Sequence, residues 1–375
     1  MRFVLVGGGT GGHFYPLVAV AEALREQESF GAEGELYYLG PDPYNADALA
    51  KQNIVFVRCP AGKNRLYRSL ANYVDVFRTG WGIVVAFFKL LALYPDAVLS
   101  KGGYTSVPVV IAAWLLRIPI VVHESDAVPG RANVLGSRFA RIIALAYAEA
   151  GEHLKGKEAK LAMVGMPIRR SFRAQVAKPH EVLGIPDDRP IILVTGGSSG
   201  AERLNDFILA SLTRLLSKFI VVHQVGDANV DKVSSAASAL FTDREPLSRY
   251  YVFGHMSEEK FAAALRAAAL IISRAGSTTL FEIAAAGKPA IVVPIPEDIS
   301  RDQRSNAYSY ARETGAVVME EHNLSDDILV AEIERILGSE ATQMEMAAGA
   351  ASLTASDGAY KLANILVTIG REHEI

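Results

Sequence analysis

The sequence predicts an α/β protein with two doubly wound parallel sheets, one in each half of the chain. Apolar runs of strand length alternate with longer helical patterns, and continuous runs of Val, Ile and Leu are typical of parallel strands covered on both faces. Two glycine-rich loops, at residues 7–12 and 196–200, each follow such a run and precede a helical pattern. Glycine lets the backbone approach an anion closely, and the helix N-terminus behind it attracts negative charge. We therefore expect two domains that face each other across a cleft and share a phosphorylated ligand.

The order of the predicted elements is regular in both halves. In the first half we expect strands at residues 2–6, 36–39, 97–99, 118–122 and 142–145. In the second half we expect strands at residues 191–195, 219–224, 250–253, 270–273, 290–293 and 316–319. The segment 151–170 is charged and contains Gly165 and Pro167, which is typical of a boundary between domains. The prediction is a Rossmann-like N-terminal domain at 1–164 and a Rossmann-like C-terminal domain at 165–355.

The composition is that of a soluble globular protein. The chain has 375 residues, of which 50% are hydrophobic, and its formal net charge is −3. A single cysteine, Cys59, excludes a disulfide within the chain. Only four apolar residues separate Arg2 from the first glycines, too few for the core of a signal peptide. The longest apolar stretches are interrupted by Lys89, Arg117 and Pro119, so we expect no membrane-spanning helix.

Positive charge is concentrated between residues 51 and 101. This segment holds eight basic side chains and two acidic ones, with aromatic residues between them. Such a stretch suits an anionic membrane surface or a phosphate-bearing lipid. A core helix with a solvated basic edge is the structural alternative, and the sequence does not decide between the two. Nucleic acid is not expected as a partner, because no nucleic-acid-binding motif is present.

The glycine loops also match two other patterns, and both readings are disfavoured. Gly7-x-Gly9-x-x-Gly12 fits the dinucleotide fingerprint, but the second strand ends at Leu39-Gly40-Pro41 without the acidic residue that binds the ribose. Gly196-x-Ser198-x-Gly200 mimics the nucleophile elbow of hydrolases, yet no histidine downstream stands in a triad context. There is no His-Glu-x-x-His, no cysteine pair and no Asp-x-Asp. If a nucleoside diphosphate binds, helix dipoles and an arginine must therefore balance its charge.

Further motifs occur in a specific order along the chain. They are Gly7-Gly8-Gly9-Thr10-Gly11-Gly12-His13, Lys101-Gly102-Gly103-Tyr104, His123-Glu124-Ser125-Asp126, Pro129-Gly130 with Asn133, Val164-Gly165-Met166-Pro167-Ile168-Arg169, Gly196-Gly197-Ser198-Ser199-Gly200-Ala201, Ser273-Arg274-Ala275-Gly276-Ser277, Glu282, and Asp302-Gln303 with Asn306-Ala307. In this order and spacing they resemble the MurG family of peripheral membrane glycosyltransferases, over about residues 1–370. No single motif is decisive, but the ordered set is specific.

The resemblance implies a two-domain GT-B glycosyltransferase fold. It also implies an inverting transfer of N-acetylglucosamine from UDP-N-acetylglucosamine to the C4 hydroxyl of N-acetylmuramic acid in lipid I. The product of this transfer is lipid II, an intermediate of peptidoglycan synthesis. The resemblance implies no metal and no other cofactor. It also implies that the C-terminal helix, at about 356–375, returns to complete the N-terminal domain. The implied location is peripheral, on the cytoplasmic face of the bacterial cell membrane, with cell-wall synthesis proteins as further partners.

By the same resemblance, the C-terminal domain binds the donor. Glu282 would hold the ribose hydroxyls, although Thr279-x-x-Glu282 is also a capping-box pattern. The amides around Ser198 and the helix start at Ser277 and Thr278 would cradle the diphosphate. Four further groups complete the expected donor site: the backbone at Gly254 for the uracil, Gln303 and Asn306 for the sugar, Arg169 for the diphosphate, and Thr10, Gly11 and Gly12 from the first loop. The structural alternatives are a solvated linker arginine for Arg169, a strand-end turn at Gly254 and an exposed polar pair for Gln303 and Asn306.

The N-terminal domain would bind the acceptor, with its diphosphate on the first glycine loop. The expected acceptor residues are Gly9, Tyr104, His123 and Asn133. His13 is the predicted general base, since a helix N-terminus should keep its imidazole neutral, and Glu124 is the rival. His13 could instead cap the helix or bind phosphate, and His123 could be a buried structural histidine.

The chain departs from the family pattern at two places. Many members read His-Glu-Gln-Asn where this chain has His123-Glu124-Ser125-Asp126, and Gln or His in place of Asp302. These changes leave the preference for the stem peptide of the acceptor open. Two other readings also remain: a transferase of the same fold for another lipid such as a diacylglycerol, and a non-catalytic nucleotide-sugar-binding protein.

Overall fold

The computed structural model describes residues 1–30, 33–63, 71–186, 188–197, 201–297 and 301–373. The chain divides into two compact units. Unit 1 comprises Met1–Arg170 and Ser356–Ile375, and unit 2 comprises Ser171–Ala355. The boundary expected from the sequence, at 164/165, lies a few residues earlier in the chain.

Unit 1 contains a parallel sheet whose seven strands lie in the order β3-β2-β1-β4-β5-β6-β7. Its elements up to the unit boundary are β1 (Arg2–Gly7), α1 (Gly11–Arg25), β2 (Glu35–Gly40), α2 (Ala46–Lys51), β3 (Ile54–Arg58), α3 (Ala71–Leu93), β4 (Ala97–Gly102), α4 (Ser106–Leu115), β5 (Ile120–Glu124), α5 (Arg131–Gly136), β6 (Ile142–Leu145), α6 (Glu149–Glu152) and β7 (Leu161–Met163).

Unit 2 contains a parallel sheet of six strands in the order β10-β9-β8-β11-β12-β13. The remaining elements of the chain are α7 (Arg170–Arg173), α8 (Pro179–Leu183), β8 (Ile191–Thr195), α9 (Glu202–Lys218), β9 (Ile220–Gln224), α10 (Val230–Ala239), β10 (Tyr250–Phe253), α11 (Glu258–Ala267), β11 (Ala268–Ser273), α12 (Ser277–Ala286), β12 (Ala290–Val292), α13 (Arg301–Thr314), β13 (Val317–Val318), α14 (Asp326–Leu337), α15 (Glu340–Leu353) and α16 (Gly358–His373).

Strand β1 shows why the sheet of unit 1 is covered on both sides. Successive side chains of a strand point to opposite faces. Phe3 and Leu5 lie in a core with α1 and α16, whereas Val4 and Val6 lie in a second core with α3 and α4. All four are fully buried. The predicted fold class, two doubly wound parallel sheets, is therefore confirmed.

Two strands of unit 1 were missed by the sequence prediction. They are β3 and β7, the two edges of the sheet. Both are short and only partly buried: β3 has an apolar run but exposes Val55 and Arg58, and β7 has only three residues, of which Met163 is exposed. Strand β5 ends at Glu124 rather than at residue 122, which brings His123 and Glu124 into the sheet.

Helix α16 lies on unit 1 although it ends the chain. Leu362 and Leu366 pack in the same core as Leu17 and Leu24 of α1. The side-chain amide of Gln27 donates to Asn364 Oδ1 at 2.8 Å, next to this contact. The last helix therefore completes the packing of unit 1.

Within the described residues, one helix is long and apolar enough to cross a membrane by length and composition. It covers Val74–Leu93, with a mean hydropathy of 1.6, and 17% of it is buried. The interruption at Lys89 does not end it, contrary to the expectation from the sequence. Length and composition are weak grounds for a span here, because Ala86 and Leu90 are fully buried in the core of unit 1.

Candidate active site

The predicted site of unit 1 lies at the carboxyl ends of β1, β4 and β5. Parallel strands bring the loops that follow them to one edge of the sheet, where α/β proteins bind ligands. Two of these loops cross each other closely, because a Cβ atom on Gly103 would lie 2.8 Å from the carbonyl oxygen of Gly8. Gly9, Gly102 and Gly103 all have positive φ angles, between 76° and 92°. Glycine is therefore required where the first glycine loop meets the loop after β4.

His13 lies in the first turn of α1, directly after that loop. Its Nδ1 is 2.7 Å from the hydroxyl of Thr10, the residue at the N-cap of the helix. Burial, and then the positive charge of Lys101, lower the pKa of His13 to about 3. A lowered pKa agrees with the predicted neutral imidazole, and burial and a nearby ammonium group are its causes.

Lys101, which belongs to the motif Lys101-Gly102-Gly103-Tyr104 but was given no role from the sequence, is a buried cation. It is 1% exposed, and its Nζ donates to Ser125 Oγ at 2.7 Å. Burial lowers its pKa, while the carboxylates of Glu124 and Asp126 oppose that shift. Its position at the end of a strand, just before two glycines, was the available signal.

Glu124, the rival base, holds the loop between β5 and α5. Its Oε1 accepts from the backbone amides of Ser125 and Asp126 at 2.8 and 3.0 Å. Its Oε2 accepts at 2.9 Å from Gly130 N and at 2.9 Å from Asn133 Nδ2. Burial, and then the charge of Asp126, raise its pKa to about 7. Four donors already occupy this carboxylate, which favours a structural role for Glu124, whereas its raised pKa suits a general base at neutral pH better than the lowered pKa of His13 does, so both candidates stay open.

His123 and Asn133 are buried rather than placed to contact an acceptor. His123 is 0% exposed, and its Nε2 donates to the carbonyl oxygen of Gly165 at 3.0 Å. Burial lowers the pKa of His123 to about 3, so it is a neutral core residue. Asn133 Nδ2 donates to the carbonyl of His123 at 3.2 Å and also to Glu124. The predicted contact of His123 with an acceptor is corrected, because no surface of its imidazole reaches solvent. The predicted contact of Asn133 is corrected as well, because its amide hydrogen-bonds within the loop between β5 and α5.

Tyr104 and Gly9 are the expected acceptor residues that remain accessible. Tyr104 is half-buried and Gly9 is exposed. They lie side by side, since a Cβ on Gly9 would come within 2.8 Å of the Tyr104 ring. Thr10 is exposed as well, and Gly11 and Gly12 begin α1 behind it.

Arg169 belongs to unit 1 and is not a solvated linker residue. It is 8% exposed, and its guanidinium carbon lies 4.0 Å from the centre of the Tyr15 ring on α1. Stacking of a guanidinium on an aromatic ring at this distance is a stabilising cation–π contact. The solvated alternative is therefore wrong, and the role of Arg169 toward a diphosphate stays a prediction.

In unit 2, helix α12 begins at the carboxyl end of β11. Its N-cap is Gly276, and Ser277 and Thr278 occupy its first two positions. Glu282 lies within this helix and is 5% exposed. A capping box at Thr279 and Glu282 would require Thr279 to be the N-cap, so the capping interpretation of Glu282 is wrong.

Gln303 and Asn306 of α13 both reach Ala275, in the loop before α12. Gln303 Oε1 accepts from the amides of Ala275 and Ile295 at 3.2 and 3.3 Å. Asn306 Nδ2 donates to the carbonyl of Ala275 at 3.4 Å. Residues three apart share one helix face, as predicted here. The pair is not an exposed one, since Asn306 is 1% exposed.

The second glycine loop is described only up to Gly197, so Ser198 lies outside the described residues. The amide of Gly197 donates to Thr195 Oγ1 at 3.2 Å. Gly254, after β10, packs so closely that a Cβ would lie 2.2 Å from Asp227 Oδ1. In the part of the chain that the structure describes, no group of three or more His, Cys, Asp or Glu side chains is placed to hold a metal ion.

Two doubly wound units in one chain are the architecture that two-domain glycosyltransferases share with other nucleotide-sugar enzymes. The chain belongs to glycosyltransferase family 28. The N-terminal domain of that family matches residues 3–145, and its C-terminal domain matches residues 191–362.

Individual relatives agree with this assignment. A protein of Treponema denticola named UDP-N-acetylglucosamine–N-acetylmuramyl-(pentapeptide) pyrophosphoryl-undecaprenol N-acetylglucosamine transferase is 35% identical, over 97% of this chain and 96% of its own length. The crystal structure of MurG from Acinetobacter baumannii superposes with a TM-score of 0.72 at 24% identity, covering 97% of this chain and 98% of that one. The UDP-GlcNAc 2-epimerase of Neisseria meningitidis, solved bound to UDP-GlcNAc, shares the fold with a TM-score of 0.70 at 14% identity, covering 98% and 99%.

Proposed function

We propose that this chain is the inverting transferase that moves N-acetylglucosamine from UDP-N-acetylglucosamine to the C4 hydroxyl of N-acetylmuramic acid in undecaprenyl-diphospho-MurNAc-pentapeptide. The observation that carries the proposal is the 35% identity over nearly the whole chain to a relative named for this reaction. The arrangement of His13 in unit 1 and of Glu282, Gln303 and Asn306 in unit 2 supports it.

Unit 2 is the proposed donor site. Helix α12 directs its N-terminal end toward the carboxyl edge of the sheet, and a glycine N-cap supplies no side chain to cover that end. Such an end stabilises a diphosphate. Glu282, buried in the same helix, is the proposed ligand of the ribose hydroxyls. Gln303 and Asn306 are the proposed ligands of the sugar, held in place by their shared contact with Ala275.

Unit 1 is the proposed acceptor site, and His13 is the proposed base. In the tautomer whose Nδ1–H donates to Thr10, Nε2 carries the lone pair that can accept a proton. The acceptor oxygen attacks the anomeric carbon on the face opposite UDP and passes its proton to His13. The bond from the anomeric carbon to the diphosphate oxygen breaks, and its electron pair leaves with UDP. Attack from the opposite face inverts the anomeric centre.

The test of this function is incubation with UDP-N-acetylglucosamine and a short-chain lipid I analogue, with UDP release and the disaccharide product both measured. We expect turnover to persist in excess EDTA, because helix N-termini and arginine side chains are the proposed partners of the diphosphate. A diacylglycerol acceptor serves as the control for another lipid glycosyltransferase. Transfer to that acceptor alone, UDP binding without transfer, or loss of turnover that only magnesium or manganese restores would each contradict the proposal.

Helix α3 supports a peripheral location on a membrane surface, and the proposed surface is the cytoplasmic face of the cell membrane. Six of the exposed apolar side chains of α3 repeat at alternating spacings of three and four residues, which places them on one face of the helix, and Val76 is exposed outside this stripe. The six are Val74, Phe77, Trp81, Val84, Phe88 and Leu91, and Phe77 is 85% exposed. Arg78 and Lys89 are exposed on the same helix. An apolar stripe with basic residues beside it is suited to the interface of an anionic bilayer.

We expect Phe77→Ser/Trp81→Ser to reduce binding to anionic vesicles at least tenfold, because each buried apolar side chain contributes about 1.5–3 kcal/mol. Neutralising Lys63, Arg65 and Arg68 should weaken binding and flatten its salt dependence; Arg65 and Arg68 lie outside the described residues. Vesicle sedimentation measures both effects. Met344→Ser, at a residue of unit 2 that is 65% exposed, is the matched control. Unchanged binding of the α3 variant, or equal binding of wild type to neutral and anionic vesicles, would contradict this assignment.

A further inference from the structure

A buried carboxylate in unit 2 joins two arginines that are distant in sequence. Glu321 has a side chain that is 3% exposed. Its Oε2 lies 2.6 Å from Arg274 Nη2, and its Oε1 lies 2.7 Å from Arg203 Nη1. Burying a charge is costly unless it is paired, so this arrangement requires both partners to stay in place.

Arg274 occupies the loop between β11 and α12, directly before the proposed diphosphate site. Its Nη1 donates to the carbonyl of Val293 at 3.2 Å, and its amide donates to the carbonyl of Thr195 at 3.3 Å. Its own carbonyl accepts from Ser273 Oγ at 2.8 Å. The side chain of Arg274 is 8% exposed, so its guanidinium is part of the scaffold of the loop.

Arg203 lies in the first turn of α9, the helix that follows the second glycine loop. Its side chain is 70% exposed, in contrast to that of Arg274. Glu321 therefore connects the N-terminal end of α9 with the loop that leads into α12. The start of α12 is the proposed diphosphate site, and the start of α9 lies at the carboxyl end of β8, the strand next to β11 in the same sheet.

We propose that Glu321 is a positioning residue for the donor diphosphate, acting through Arg274 on the loop that leads into α12 and through Arg203 on the first turn of α9. The inference rests on the proposed donor site in unit 2. Glu321 neutralises the buried guanidinium and holds both helix starts in register, and its side chain does not itself contact the nucleotide. Its loss leaves Arg274 buried without its carboxylate and releases the link to α9.

The test is binding of UDP and of uridine to Glu321→Gln, measured by titration calorimetry or ligand-observed NMR. Gln keeps the size of the side chain and removes its charge. We expect UDP to bind about 10- to 100-fold more weakly, because the groups at the two helix starts are no longer held in place before the ligand binds. Uridine, which has no phosphates, should bind as to wild type. Glu321→Asp, which keeps the charge, should restore part of the UDP affinity.

Glu334→Gln is the matched control. Glu334 of α14 pairs at 2.8 Å with Lys218, which lies at the C-terminal end of α9, whereas Arg203 lies at the N-terminal end. The control variant should leave both affinities unchanged. Arg203→Ala, at an exposed side chain, provides a variant that tests the link to α9 without disturbing the core, and it should weaken UDP but not uridine.

Equal losses for UDP and uridine, or no loss for UDP in Glu321→Gln and Arg203→Ala, would overturn the positioning role. Should Glu321→Gln fail to fold, judged by circular dichroism, the Arg203→Ala result decides. A wild-type chain that binds neither ligand would contradict the proposed donor site itself, which distinguishes the two failures.

Discussion

His13→Ala is expected to lower kcat by about 10²–10⁴, the usual contribution of a general base, while UDP affinity stays near that of wild type. The acceptor hydroxyl must lose a proton as the new bond forms, and His13 is the neutral imidazole at the first glycine loop. UDP affinity should hold because the proposed ligands of the ribose and of the sugar, Glu282, Gln303 and Asn306, lie in unit 2. Steady-state kinetics with the lipid I analogue, together with UDP titration, measure both quantities.

His153→Ala is the control for this variant, since His153 is an exposed histidine of the same unit. It should leave kcat unchanged. If the effect of His13→Ala is confined to the KM of the acceptor, His13 is a binding residue and the base is Glu124. Glu124→Gln would then show the large loss in kcat.

The pH dependence of kcat separates the two bases without any substitution. With its pKa lowered to about 3, His13 is already deprotonated throughout the range from pH 5 to 8, so kcat should stay flat there. Glu124, with a pKa raised to about 7, would be protonated as the pH falls, and kcat would drop about tenfold per unit below that value. Circular dichroism at each pH controls for unfolding. This control is required because the histidines of the unfolded chain take up protons as the pH falls below 6.5, whereas the buried histidines of the folded chain stay neutral. The free energy of unfolding therefore decreases with falling pH.

Glu282→Ala is expected to weaken UDP binding and to raise the KM for UDP-N-acetylglucosamine by about 10- to 150-fold. Hydrogen bonds to a charged group contribute about 1.5–3 kcal/mol, which corresponds to that range. Since α12 begins at Ser277 with Gly276 as its cap, Glu282 has no part in capping the helix. The loss should therefore appear in ligand affinity more than in the melting temperature.

A nucleotide that lacks the 2′ hydroxyl of the ribose tests the proposed contact of Glu282 directly. Wild type should bind 2′-deoxy-UDP more weakly than UDP, whereas Glu282→Ala should bind both with similar affinity, because the carboxylate that distinguishes them is gone. Glu313→Ala, at an exposed glutamate of α13, is the control. If Glu282→Ala lowers the melting temperature and leaves UDP affinity unchanged, Glu282 is a structural residue and the ribose is bound elsewhere.

The sequence alone determined the class of fold and the elements that carry the site. Apolar runs such as Ile191–Thr195 predicted interior strands because a strand buried on both faces needs apolar side chains at every position. The glycine loops predicted helix starts at the edge of each sheet for a similarly local reason, the backbone freedom of glycine. The edge strands β3 and β7 were not predicted although residues 54–57 and 161–163 are apolar; both strands are short, and their place at the edges of the sheet is known only from the structure.

Only the tertiary structure decided what individual polar side chains do. His123 and Glu124 are adjacent on a strand, so they point to opposite faces, and their partners Gly165 and Asn133 come from different segments of the chain. Glu321 pairs with Arg203 and Arg274, and the three residues follow different strands of the sheet of unit 2. No local sequence pattern predicts this contact. Local sequence patterns encode the conformation of the backbone and the face of each helix or strand that is buried. The pairing of a buried charge depends on which distant residues the completed fold brings within hydrogen-bonding distance.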